Sequence, residues 1–290
     1  MSSRRFDVVV VGGGPAGVAA AKASAKTGAK TLLLEKNPAI MAIKPCGQAV
    51  SSHTFETAGV KPKPPMILNR VSARVYAPNG RSIKIPETGY LINKTLLLQE
   101  IAVQAAEHGA EIHVNEPFID FVRRGDGLIV RTPKAEYECS VLIGADGYNS
   151  RVARILGVNE KSEPIPTLQY LMAGSRLENV DEIRIYVGNG IAPRGYAWLF
   201  PFSERMAEVG LGVRGAPLKP YMDKVLEILR KELGSAQIID NRGAPVPVGG
   251  VISKYIFDHV ILIGDAAGMV IPMTGGGIHS SIAAGIAAGE

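Results

Sequence analysis

Cysteine is nearly absent from this chain of 290 residues: only Cys46 and Cys139 occur, far apart in the sequence. That excludes a disulfide framework and fits a reducing, cytoplasmic setting. The five histidines show no ligand spacing, so no metal site is expected. Lysine and arginine exceed the acids by only five and are scattered. No basic stripe for nucleic acid results, although weak attraction to phosphate or an anionic membrane surface is allowed. The longest apolar run, from Val260, is broken by Asp265 and glycines, which excludes a spanning helix. The run from Val8 passes straight into glycines and lacks the cleavage pattern of a signal peptide. Tryptophan occurs once, in "APRGYAWLFP" at 192–201.

What is abundant is glycine, 33 residues, clustered in "VVGGGPAG", "GADG" and "GDAAGMVIPMTGGG". Such clusters mark places where backbone approaches a ligand closely. Hydrophobic residues make up 46% of the chain, ample for a core over one large domain or roughly two. Phe6 to Val11 reads as a buried strand, Ala16 to Thr27 as a helix stopped by Gly28, and Thr31 to Leu34 as a second buried strand. This βαβ unit implies a parallel sheet. "SVLIGAD" and "HVILIGD" add two more strands of the same character. Lys94 to His108 reads as a helix closed by Gly109, "EIHV" as a short strand, and residues 117–139 as a meander turning at Gly125 to Gly127. A hairpin is expected around Asn79-Gly80. Further antiparallel strands are expected at Glu182–Val187, Tyr196–Phe200 and Glu208–Val213, with an amphipathic helix over Tyr221–Leu233. The fold class is therefore α/β. A nucleotide-binding domain is assembled from 1–60, 88–160 and 252–290, and a sheet-based substrate domain from 61–87 and 161–251. The alanine-rich segment at the end has no C-cap, so the native chain is expected to continue beyond Glu290.

The segment Gly12-Gly13-Gly14-Pro15-Ala16-Gly17 is a G-x-G-x-x-G fingerprint in its proper setting. It follows a strand, opens a helix and is answered by Glu35 about twenty residues on. Gly12 permits the turn, Gly14 lets backbone approach a pyrophosphate, and Gly17 allows close helix packing. The helix N-terminus faces the phosphates, and Glu35 can accept ribose hydroxyls. The fingerprint alone leaves NAD and FAD open. Near the end, a strand runs into Gly264-Asp265, and three glycines open a helix. An acid for a polyol hydroxyl and a helix dipole for a ring that becomes anionic on reduction describe FAD. Asp265 could otherwise serve only to cap a turn.

The fingerprint with Glu35, "GADGYNSRVAR" at 144–154 and "GDAAGMVIPMTGGGI" resemble the FAD-binding oxidoreductases of the glutathione-reductase and aromatic-hydroxylase type. "KPCGQAVS" at 44–51 and "PRGYAWLFP" at 193–201 resemble, more narrowly, the geranylgeranyl reductase family, which includes archaeal digeranylgeranylglycerophospholipid reductases. The resemblance covers essentially the whole chain and implies a Rossmann-like FAD domain with an inserted antiparallel β-sheet substrate domain. It also implies a further helical region after Glu290. FAD contacts carry over to Ala16, Glu35, Cys46, Gly47, Asp265, Gly277 and Ile278, to Lys94 in place of the family's usual arginine, and to backbone at Phe118. With Gly12, Gly14, Pro15, Gly17, Lys36, Asp146 and Gly147 these form the candidate cofactor site. The family's common "PCGG" reads "PCGQ" here, with Gln48 in the place of glycine. Arg151 and Arg154 suit a phosphate or plain solvation, and His279 a capping or solvated role.

The resemblance further implies reduction of C=C bonds in a geranylgeranyl lipid or diphosphate by hydride transfer from reduced flavin. Tyr196 and Trp198 would wall the prenyl cavity, and Phe200 would share their face or pack in the core. Cys46, its thiol pKa lowered by neighbouring Lys44, would shape or protonate the alkene, or merely pack as a small hydrophobe. Cys139 reads as inert packing. The electron donor would be NADPH or a ferredoxin-like protein. Two rival readings are an FAD-dependent monooxygenase of the same fold and a non-catalytic flavin- or lipid-binding paralogue.

Overall fold

Four β-branched residues in a row, Val8–Val11, form the middle strand of a five-stranded parallel sheet. The computed structural model describes residues 4–42 and 44–290. Across that sheet the order is Val260–Leu262, Val141–Gly144, Val8–Val11, Thr31–Leu34 and Glu111–His113, every neighbouring pair parallel. Both faces are covered, which is why these strands read as unbroken apolar runs. Val10, Leu33 and Ile143 pack against the helices Pro15–Lys26, Lys94–Glu107 and Ile278–Gly289. Val9, Leu32 and Leu142 pack against Phe6, Leu128, Val130 and Tyr137. The last three of those belong to a meander of Asp120–Arg124, Gly127–Arg131 and Glu136–Cys139, extended by the short parallel strand Arg4–Arg5. Cys139 is buried there, and desolvation pushes its thiol up to about 12, so it is inert packing.

The first and last helices lie unusually close. A methyl on Gly285 would sit 2.3 Å from the Ala16 carbonyl oxygen, and one on Gly289 2.7 Å from that of Ala20. Small residues thus bring the N-termini of both helices to the C-terminal edge of the parallel sheet. That edge is where open α/β sheets bind their ligands.

The second architecture is an eight-stranded mixed sheet. Its order is Gln237–Pro247, Pro164–Ala173, Met206–Gly212, Tyr196–Ser203, Glu182–Val187, Ile67–Tyr76, Ser82–Ile92 and Ala49–Ser51. The hairpin around Asn79-Gly80 joins two of these strands. Residues 49–51 and 88–92 also belong to this sheet. One face is closed by Met222, Val225, Leu229 and Leu233 packing on Ala197, Leu199, Val209 and Leu211. Those four residues do not share one helix, as their spacing suggests, because the segment divides at Leu229 into Leu218–Ile228 and Arg230–Leu233. The other face looks toward the nucleotide-type sheet.

Candidate active site

The glycine loop after Val8–Val11 is closed on one side and open on the other. A methyl on Gly17 would lie 1.8 Å from the Gly12 carbonyl oxygen, and one on Gly12 2.4 Å from that of Ala145. Gly12 also holds φ at +106°, which side chains rarely adopt. A methyl on Gly14, by contrast, would meet nothing within 4 Å. The loop therefore packs hard against the sheet and presents bare backbone at Gly14. Beside it, the buried Glu35 accepts from Gly13 N at 2.5 Å and from Asn37 N at 2.8 Å. The Asn37 side-chain amide donates to the same Oε1 as Asn37 N, so these bonds fix the carboxylate and leave a lone pair on Oε2 for a ligand hydroxyl.

Gly14 opens on a cavity of about 1290 Å³ between the two sheets. This exceeds the roughly 300–1,000 Å³ usual for one small ligand, leaving room for a dinucleotide and a second molecule. Every residue of the candidate cofactor site and of the candidate substrate wall lines it except Gly17, which lies beneath the loop. Gly12, Pro15, Ala16, Lys36, Phe118 and Gly147 border it from the nucleotide side, with Gly277 and Ile278 at the start of the last helix. Asp146 supports the same conclusion. Its Oδ2 accepts from Arg151 N at 2.6 Å and Val152 N at 3.2 Å, whereas its buried Oδ1 has no partner. A buried orphan acceptor on a cavity wall calls for a donor from a ligand. The residues present thus fit FAD: bare backbone for the pyrophosphate, carboxylates for hydroxyls, and two helix N-termini.

The opposite wall is aromatic. Tyr196, Trp198 and Phe200 alternate along one strand, with ring centroids 5.8 Å and 6.0 Å apart in succession. Their cross-strand partners are Gly212, Gly210 and Glu208. The indole lies on the bare backbone of Gly210, where a methyl would come within 2.2 Å of the ring. Trp198 is only 7% exposed, and its Nε1 donates to Glu208 Oε1 at 3.0 Å. Glu208 Oε2 accepts from Gln169 at 3.0 Å. Burial pushes the Glu208 carboxyl up to about 7, against the opposing pull of the Trp198 bond and of Lys94 and Arg242. Burial likewise pushes the Tyr196 hydroxyl up to about 12, Cys46 adding to the effect, and that hydroxyl donates to the Thr274 carbonyl. Phe200 rests on Gly47, where a methyl would lie 2.2 Å from the ring. The two motifs "KPCGQAVS" and "PRGYAWLFP" therefore meet at this contact.

One expectation needs correction. Lys44 does not turn to the Cys46 thiol; its ammonium pairs with the Asp265 carboxylate across the cavity. An opposite charge is a stronger partner than a half-buried thiol, and Cys46 Sγ instead accepts from Gln48 N at 3.4 Å. Nor does Asp265 use its carboxylate as a simple turn cap, since that group meets Lys44. Gln48 stands at φ +58°, the region glycine prefers, which is why a glycine is expected there. Its side chain compensates by accepting from Lys94 N at 3.0 Å. Lys94 is buried and donates Nζ to the Lys44 carbonyl at 3.2 Å. His279 does not line the cavity; its ring lies 5.2 Å from that of His53. Arg151 and Arg154 do line it.

The residues that sequence reasoning overlooked are Glu208 and Gln169, behind and beside the indole. The signal was available in "MAEVGLG", where a lone carboxylate shares the face of two glycines in an apolar strand.

Fold and site together define an FAD-dependent oxidoreductase. Residues 7–147 match the FAD dependent oxidoreductase family, and residues 164–246 the geranylgeranyl reductase catalytic domain. A flavin-dependent brominase shares the fold at TM-score 0.78 and 18% identity, over 97% of this chain and 78% of that one. A geranylgeranyl bacteriochlorophyll reductase-like protein from Thermoplasma acidophilum superimposes at TM-score 0.90 with 32% identity, over 98% of this chain and 77% of that one. The digeranylgeranylglycerophospholipid reductase of Methanocaldococcus jannaschii is 36% identical over 98% of this chain and 76% of its own length. A second such reductase, from Methanopyrus kandleri, is 35% identical over the same shares. The chain belongs to the digeranylgeranylglycerophospholipid reductase family.

Proposed function

We propose that this protein saturates C=C bonds in the geranylgeranyl chains of a phosphate-bearing isoprenoid lipid. The observation that carries the reading is one cavity holding both a dinucleotide cradle and an aromatic wall of Tyr196, Trp198 and Phe200. When bound and reduced, FAD supplies the electrons for the saturation. Gly14, Ala16, Glu35, Asp265, Gly277 and Ile278 would hold it, with Lys94 and the Phe118 backbone at its flanks. The two sheets correspond to a cofactor part and a substrate part of the chain.

This chain's residues then have two tasks. An isolated alkene is a poor electron acceptor, so it must be aligned closely and kept from water. Rigid aromatics give large contact area at low entropy cost, and the Gly210 backbone and Glu208 bond hold Trp198 in one orientation. A proton must also be delivered. The Tyr196 hydroxyl is engaged with Thr274, and Glu208 stands behind the wall. The half-buried Cys46 thiol, next to Gly47 and near Tyr196, is our candidate to shape or protonate the alkene. Electrons arrive from NADPH or a ferredoxin-like donor. No helix among the described residues is long and apolar enough to cross a membrane.

The test is mass spectrometry of a digeranylgeranylglycerophospholipid incubated with dithionite-reduced, FAD-loaded protein. Products that gain one H2 per double bond are expected. Unaltered lipid, together with oxygenated product when air and reductant are present, would overturn the reading in favour of a monooxygenase.

A further inference from the structure

The aromatic wall ends at a pair of arginines that the chemistry above leaves unused. Arg194 lies just before the strand Tyr196–Ser203, separated from it by Gly195, and Arg214 closely follows its neighbour Met206–Gly212. The two segments are tied by Arg214 N donating to the Pro193 carbonyl at 3.0 Å. Both arginines line the cavity, at the end where the strands of Ile165, Val187 and Val246 also reach it. The acids lining the cavity are Glu35, Asp146 and Asp265, all on the cofactor side. Arg214 meets Glu163 through Nε, 3.3 Å from the carboxylate but without hydrogen-bond geometry. The structure gives the Arg194 guanidinium no carboxylate at all within ion-pairing distance among the described residues. Two guanidiniums with one acid leave this rim positive.

Arg194 is also held at an energetic disadvantage. Its φ is +51°, a left-handed conformation that glycine adopts freely and arginine does not. Space for its head group is provided by Gly215, itself at φ +75°, where a methyl would lie 2.4 Å from Arg194 Nη2. A strained backbone that delivers an unpaired guanidinium onto a cavity rim is a motive to look for an anion. Guanidinium suits a phosphate better than ammonium does, because its donors fork onto two oxygens.

We propose that Arg194 and Arg214 form a phosphate-binding rim that anchors the charged head of the prenyl substrate while its chain runs along Tyr196, Trp198 and Phe200. The proposal rests on the prenyl-reductase reading and adds the residues, Arg194 and Arg214, that would distinguish a phosphate ester from the free alcohol. The phosphate can be that of a glycerophospholipid or of a prenyl diphosphate, two forms of one chemistry.

The test uses FAD-loaded protein and three probes: a geranylgeranyl glycerophospholipid, geranylgeranyl diphosphate and geranylgeraniol. Binding is read from the fluorescence of Trp198, the only tryptophan, and turnover separately. Arg194→Gly is the informative variant, since it relieves the φ strain and is expected to raise the melting temperature. It should weaken binding of one or both phosphate-bearing probes by roughly tenfold or more, the worth of a charged hydrogen bond. The probe that loses most identifies the source of the phosphate, and geranylgeraniol binding should not change. Arg214→Lys should weaken the same probe less. Equal losses for phosphate ester and alcohol, or no loss for any probe, would overturn the proposal. If no probe is reduced while the binding selectivity persists, the rim stands and the reductase reading falls.

Discussion

The two walls of the cavity recognise by different means. On the nucleotide side the main chain does the work. Gly14 and the starts of two helices offer N–H groups, and Glu35 is itself fixed by the Gly13 and Asn37 amides. On the opposite side the backbone is largely occupied in sheet pairing, and the wall is dominated by side chains: Tyr196, Trp198 and Phe200 over glycines. A backbone cradle is set by where side chains are absent, so it tolerates almost no change and is blind to most of its ligand. A side-chain wall can be repacked, and it is where specificity resides.

The sharpest way to break the first wall is Gly17→Ala. Its methyl would collide with the Gly12 carbonyl oxygen at 1.8 Å, and both partners are backbone that cannot rotate away. No flavin-loaded protein is expected, as judged by flavin content after purification and by circular dichroism. Recovery of a yellow protein with normal melting behaviour would show that the loop is far softer than its packing implies.

The same contrast explains what could be read in advance. Gly12, Gly14, Gly17 and Glu35 were legible because a turn at positive φ, a bare approach and a carboxylate at fixed distance need particular residue types in fixed order. The parallel strands were legible because burial on both faces leaves a continuous apolar run. Gln237–Pro247 was not, for it is an edge strand, largely exposed, with a glycine and two prolines and no alternation. Pro164–Ala173, with prolines at its start, was missed for a related reason. The direction of Lys44 was misread because a neighbour in sequence was chosen over Asp265, which only the fold brings near. Glu208 was passed over because its partners, Trp198 and Gln169, come from two other strands.

The second wall should fail more gradually. Trp198→Ala removes a side chain 7% exposed, and the cavity left should cost about 3–5 kcal/mol of stability. FAD should stay bound, because no main-chain contact of the cradle is touched. Turnover per folded molecule should fall roughly a hundredfold, since an alkene displaced by about 1 Å loses its alignment. Melting curves, flavin content and product assays on one preparation check this. Trp198→Phe should restore part of the stability and less of the turnover, because phenylalanine cannot donate to Glu208. Loss of FAD along with turnover would erase the distinction between the walls.

The finest test is the carboxylate behind the indole. Glu208 titrates near 7 in the folded protein against about 4.5 in an open chain, chiefly because it is buried. Between those values the folded state holds a proton that the unfolded state has released, so stability falls as pH rises through this window. The loss is complete above the folded value and amounts to about 3.5 kcal/mol at most, from roughly 1.4 kcal/mol per pKa unit. Glu208→Gln cannot ionise, yet its carbonyl oxygen still accepts from Trp198 Nε1, and Gln169 can present its own carbonyl oxygen to the new amide. The variant should match the parent in melting temperature near pH 4.5 and exceed it by several degrees at pH 8. Turnover at the lower pH should be nearly unchanged, because the neutral amide stands in for the neutral acid. Parallel stability curves across the window would mean that Glu208 is ionised throughout, held by Lys94 and Arg242, and that Trp198 is anchored to a permanent charge.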